Sequence, residues 1–71
     1  MITKWGDEVS EEDKTVEECA ELIHILQKVK RFGIDNTQPH TGVRNRDALH
    51  AEIRDVQECL YLLMEKYDYK I

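Results

Sequence analysis

Residues 10–31 read SEEDKTVEECAELIHILQKVKR, and this stretch decides the fold. Ser10, three residues before Asp13, offers a hydroxyl cap, and acids fill the first turn, where the helix dipole favours them. Apolar residues then recur at Val16, Cys19, Leu22, Ile23, Leu26 and Val29, the spacing of one helical face. Lys28, Lys30 and Arg31 occupy the last turn, and Gly33 follows as the stop. The pattern predicts a helix over about 11–31.

Working outward, residues 33–45, GIDNTQPHTGVRN, hold two of the three glycines and the only proline, and read as a loop. Asn45 is placed to cap a second helix over about 46–67, whose apolar stripe runs through Leu49, Val56, Leu60, Leu63 and Tyr67. No internal repeat or low-complexity tract interrupts this plan. The predicted fold class is all-α: one domain over 1–71, an antiparallel helical hairpin. A hairpin buries one stripe of each helix, and 71 residues is near the lower limit for a chain that folds alone. Oligomerisation into a four-helix bundle, as a homodimer or homotetramer, is the expected remedy.

Composition narrows the function classes. No apolar run approaches the ~20 residues of a membrane span. Residues 1–10 lack the apolar segment of a signal peptide, which gives the expectation of a cytoplasmic protein. Two cysteines make no disulfide framework, and Cys19 and Cys59 both fall on apolar faces as reduced core residues. The net charge of −5 argues against direct nucleic-acid binding, which requires a cationic surface. Charge is uneven, however: Lys28, Lys30, Arg31, Arg44 and Arg46 against Asp35 give residues 28–46 a charge of +4, leaving −9 elsewhere. A basic segment between acidic helices suits a polyanion, and suits ordinary solvated surface equally well.

The carboxylates carry the chemistry. On a wheel of about 100° per residue with Glu18 at zero, the apolar residues of the first helix, Ile25 among them, fill roughly −20° to +160°. Glu18 lies inside that arc and Glu21 near −60°. With Glu52 at zero on the second helix, Cys59, Leu63, Val56, Leu49, Leu60, Ile53 and Met64 cover about −20° to +120°, and Asp55 lies near −60°. Each helix therefore repeats one arrangement: an acid within the apolar stripe and a second acid three residues on. An ionised carboxylate in an apolar interface is costly without a compensating positive charge. With no arginine or lysine on either arc, a hard divalent cation is the expected partner. The pairs lie 10 to 13 residues before Arg31 and 6 to 9 after Arg46, an offset of roughly 6 Å along the axis. Long side chains can span it. Single pairs of this kind also arise by chance in acidic helices and snorkel at a bundle's edge.

Glu17-Glu18-Cys19-Ala20-Glu21 reads E-E-x-x-E, and Glu52-Ile53-Arg54-Asp55 reads E-x-x-D. Together they resemble the all-α nucleoside triphosphate pyrophosphohydrolases, the MazG and dimeric dUTPase superfamily. The context EECAELIHILQKVKRFG and NRDALHAEIRDVQECLYLL looks most like the short MazG-like proteins of bacteriophages and bacteria, over residues 14–64. The resemblance implies Mg²⁺-dependent hydrolysis between the α and β phosphates, with Mn²⁺ as an alternative ion, giving a nucleoside monophosphate and pyrophosphate. Glu18, Glu21, Glu52 and Asp55 would be the metal ligands, and Glu18 the group that orients or deprotonates the attacking water. Glu17 would serve as an outer support or as surface. Lys28, Arg31, Asn45 and Arg46 are candidates for phosphate contact, and His24 lies beside Glu17, Glu21 and Lys28 on the wheel. His40 and His50 carry no signal. Trp5 could stack on a base or cover a core edge. Many members of the superfamily continue into a further helix that completes the substrate pocket; sixteen residues follow Asp55 here. Either a partner subunit supplies those contacts or the pocket lacks them. Two other readings stand beside the enzyme: a module that binds Mg²⁺–nucleotide without cleaving it, and a purely structural helical dimer whose acids line a solvated seam.

Overall fold

The structure, a computed structural model, describes residues 9–69. Two helices of 22 residues, α1 (Glu11–Phe32) and α2 (Asn45–Lys66), pack against each other as a hairpin, and no strand forms among the described residues. The all-helical hairpin and its boundaries agree with the sequence to within a residue. Trp5 lies outside the described residues.

The ends of α1 follow the chemistry expected of them. Ser10 Oγ accepts from the Asp13 amide at 3.0 Å, satisfying a donor that the first turn leaves without a helical partner. Gly33 closes the helix with φ 97°, a conformation that disfavours a side chain, and donates to Val29 O at 2.9 Å.

The start of α2 corrects one expectation. Asn45 is the first helical residue, not the cap; Arg44 holds the cap position and contributes no side-chain bond. The loop does the capping instead. Carbonyls of Asn36 and Ile34 accept from the amides of Asn45 and Arg46, each at 2.8 Å, while Asn45 Nδ2 donates to Gly33 O at 2.9 Å. Asn45 is buried and ties the end of α1 to the start of α2. Between them, residues 38–43 turn tightly: Gln38 N donates to Val43 O at 2.8 Å and Gly42 N to Gln38 O at 2.9 Å. A clasp holds the opposite end of the hairpin, where Lys66 Nζ lies 2.8 Å from Glu12 Oε1 and the Tyr67 hydroxyl donates to Glu12 Oε2.

The core departs most from expectation. Among the described residues, only Val56 and Cys59 are buried apolar residues, whereas Thr15, Glu18, Asn45 and Glu52 are buried polar ones. The seam between the helices therefore sets buried polar groups among half-buried apolar ones, Leu22, Ile25, Val29, Leu49 and Leu63. Much of each apolar arc faces outward: Val16 is 68 % exposed, Ile23 62 %, Leu60 47 % and Tyr67 62 %. Periodicity locates an apolar stripe, but a stripe spanning half of a helix is wider than one neighbour can cover. Cys19 and Cys59 are both free thiols, half-buried and buried respectively. No helix among the described residues is long and apolar enough to cross a membrane.

Candidate metal centre

Glu18 and Glu52 face each other across the seam, 4 % and 5 % exposed. Each stands on the helix face that the partner helix covers, where the wheel puts it. Oxygens of Glu18, Glu52 and Asp55 lie within 4.8 Å of one another, and a second group, Glu17, Glu18 and Glu21, meets the same criterion. Glu18 is the shared vertex. Glu21 and Asp55 are exposed and belong one to each group, so the four predicted ligands, together with Glu17, fall into two triads that share Glu18. The side chains do span the axial offset between the helices. Glu17, expected to point away, brings an oxygen into the second triad.

The electrostatics of the two buried acids differ. Lys14, one turn before Glu18, places Nζ 3.1 Å from its carboxylate and 3.7 Å from that of Glu17. No lysine or arginine lies on the apolar arc itself, yet one reaches the buried acid from the arc's margin. Lys14 lies near −40° on the same wheel, just beyond the residues that define the stripe. The Glu18 carboxyl is held below its ordinary value, first by its hydrogen bond with Glu52 and then by Lys14, against the opposing effect of burial. Glu18 raises the Lys14 pKa in turn. Glu52 behaves oppositely. Burial, followed by its hydrogen bonds with Glu18 and Glu21, pushes its pKa up to about 8. Its Oε2 is buried and has no hydrogen-bond partner among the described residues. A buried acceptor left without a donor is expensive, and in a native protein it calls for a proton, a water or an ion.

Beside this seam, Lys14, Glu18, Asp55, Glu58 and Cys59 line a small cavity of about 140 Å³. Burial raises the pKa of the Cys59 thiol, so it stays protonated and is no competing thiolate ligand at neutral pH. The donor set consists of hard carboxylate oxygens, one of them orphaned, with an exposed acid in each triad. That chemistry fits Mg²⁺ or Mn²⁺, which take oxygen ligands and retain water.

The predicted phosphate-contact residues separate. Arg46 Nε pairs with Asp35 at 3.0 Å, and Asn45 is committed to the helix junction. Arg31 lies over the Phe32 ring, 5.9 Å from its centre. Lys28 is half-buried at the loop and has no carboxylate partner among the described residues. His24, His40 and His50 are exposed. Lys14 is the residue of the site that sequence reasoning missed, although its i,i+4 spacing to Glu18 was a readable signal. No protein family, curated protein or solved structure matches this chain.

Proposed function

We propose that this protein is a Mg²⁺-dependent nucleoside triphosphate pyrophosphohydrolase, converting a ribo- or deoxynucleoside triphosphate to the monophosphate and pyrophosphate. The observation that carries the reading is the orphaned Oε2 of Glu52, 5 % exposed as a residue and packed against the carboxylates of Glu18 and Asp55. Among the described residues, Lys14 compensates Glu18 but leaves Glu52 and Asp55 without a cation, and a divalent ion would supply one.

Glu18, Glu52 and Asp55 would hold the ion, with Glu21 on the neighbouring triad. A bound Mg²⁺ supplies neutralisation of phosphate charge and a water of lowered pKa. Glu18, kept ionised beside Lys14, would orient the attacking water and receive its proton. The Lys14 ammonium stands at the edge of the same cavity, where it can meet a phosphate oxygen while remaining close to Glu18. The outward apolar residues support a homo-oligomer, with a second hairpin covering Val16, Ile23, Leu60 and Tyr67 to complete a four-helix bundle.

A second reading rests on Lys14. Its ion pair with Glu18, together with a protonated Glu52, would balance the seam with no metal, as in a purely structural helical dimer. Product analysis by anion-exchange chromatography separates the two. Nucleoside triphosphates incubated with the protein should yield monophosphate and pyrophosphate with Mg²⁺ and remain intact with EDTA. Intact nucleotides in both conditions, with the protein folded, would reject the enzyme.

A further inference from the structure

The connection between α1 and α2 encloses a cavity of about 520 Å³ bordered by Lys28, Phe32, Asn36, Gln38, His40 and Asn45. Its size is that of a small-molecule pocket. Its lining combines an aromatic ring with polar side chains that keep unused bonding capacity. Phe32 is 57 % exposed at the end of α1; its ring carries the Arg31 guanidinium 5.9 Å from its centre and borders the hollow. Asn36 Nδ2 donates to Phe32 O at 3.1 Å, which leaves the side-chain carbonyl as an acceptor. Gln38 Oε1 accepts from Thr41 Oγ1 at 3.1 Å, which leaves the amide group as a donor. A stacking ring beside one donor and one acceptor matches a planar heterocycle with a polar edge.

The position of the cavity relative to the acidic seam is equally specific. Lys28 follows Glu21 by seven residues, and Asn45 precedes Glu52 by seven. Each is two helical turns, about 10.5 Å, from its acid. On α1, Glu21, Lys28 and Phe32 lie within about 40° of one another on the wheel, a single line from acid to cation to ring. Both helices thus place the cavity at the same distance along one seam, within the reach of an extended nucleotide from its phosphates to its base.

We infer that this loop cavity receives the base of the nucleotide whose phosphates lie at the acidic seam, with Phe32 stacking on the ring, the Asn36 and Gln38 amides reading its edge, and Lys28 meeting the chain between. The inference rests on the phosphate-and-metal reading of the seam. Calorimetric titrations in Mg²⁺ of inorganic tripolyphosphate, and of α,β-methylene analogues of purine and pyrimidine nucleoside triphosphates, test the two separately. At least one nucleotide should bind about tenfold or more tightly than tripolyphosphate, the scale of one stacked base. Phe32→Ala, at an exposed position, should remove that advantage and leave tripolyphosphate affinity unchanged, and Asn36→Ala should reduce it. Amide resonances of residues 34–41 should shift with the nucleotide and not with tripolyphosphate. If tripolyphosphate binds and no nucleotide binds better, or if Phe32→Ala keeps the advantage, the cavity assignment is wrong while the seam reading stands. If neither ligand binds in Mg²⁺, the seam reading fails and takes this inference with it.

Discussion

Glu18 on α1 and Glu52 on α2 occupy equivalent places in a repeated pattern, yet their surroundings are opposite. Glu18 has the Lys14 ammonium 3.1 Å away and is held in its ionised form. Glu52 has two carboxyl neighbours and a buried oxygen that accepts nothing, and it retains its proton up to about pH 8. Identical side chains in matching positions thus shift in opposite directions: the hydrogen bond with Glu52 and then Lys14 lower Glu18, whereas burial and then the hydrogen bonds with Glu18 and Glu21 raise Glu52. With Glu18 paired to Lys14, a further positive charge is called for only when Glu52 gives up its proton, on the α2 side.

The most severe way to break this comparison is to remove the orphaned carboxylate. Glu52→Gln should lower Mg²⁺-dependent hydrolysis by about two to three orders of magnitude, the scale on which loss of one preorganised charged group acts. It should also abolish any rise in melting temperature with Mg²⁺, since an ion stabilises only a fold that binds it. In EDTA the same variant should melt no lower than the parent at neutral pH, because the amide needs no proton there. Full retention of activity and metal response would remove Glu52 from the centre.

Asn45 offers a control away from the acids. Asn45→Ala takes the donor from Gly33 O at a buried junction, and a loss of about 1–3 kcal/mol in chemical denaturation is expected. An unchanged denaturation midpoint would show that the loop's backbone bonds suffice to join the helices.

The pH dependence sharpens the difference between the two acids. Glu52 binds its proton more tightly in the folded chain, at about 8, than at its ordinary 4.5. Its contribution to stability is therefore full below the ordinary value and is lost as pH rises through about 8. Glu18 has the opposite sign: its depressed pKa contributes above the ordinary carboxylate range and is lost only in acid. Between about pH 6 and about pH 8.5 Glu52 should dominate, and metal-free protein should melt at progressively lower temperature. Mg²⁺ should flatten that slope, because an ion replaces the proton. Glu52→Gln should flatten it without metal, whereas Glu18→Gln, which leaves the burial of Glu52 in place, should only reduce it. A slope that is the same in all three proteins would contradict the assignment.

The smallest effect is expected at the clasp. Lys66 and Tyr67 hold the Glu12 pKa well below the usual carboxylate range, but all three groups are solvent-accessible. Glu12→Gln should barely move the melting temperature, since exposed ion pairs contribute little.

How much of this was legible in the sequence differs from residue to residue. Ser10, Gly33 and the apolar period located α1, because caps and periodicity act locally. Glu18 and Glu52 were found on the covered faces for the same reason: a wheel reports which positions share a side. It does not report how far a single neighbour extends over a broad apolar stripe, and so the exposure of Val16, Ile23 and Leu60 emerged only from the packed hairpin. Asn45 was misread because loop carbonyls, distant in sequence until the chain folds back, took over the capping that its side chain was expected to perform. Lys14 was overlooked as a polar residue near a helix start, though it lies one turn from Glu18. In the linear pattern the two acids differ in one respect, Lys14 four residues before Glu18 against Ala48 four before Glu52; the burial that raises Glu52 emerged only from the packed hairpin.

The central claim is that the seam holds a divalent ion through Glu52. Calorimetric titration of Mg²⁺ into metal-free protein at pH 7.5, repeated in buffers of different ionisation enthalpy, tests it most directly. The account predicts saturable binding accompanied by release of a proton, absent in Glu52→Gln. Binding without proton release, equal binding in the variant, or no saturable heat at all would contradict it.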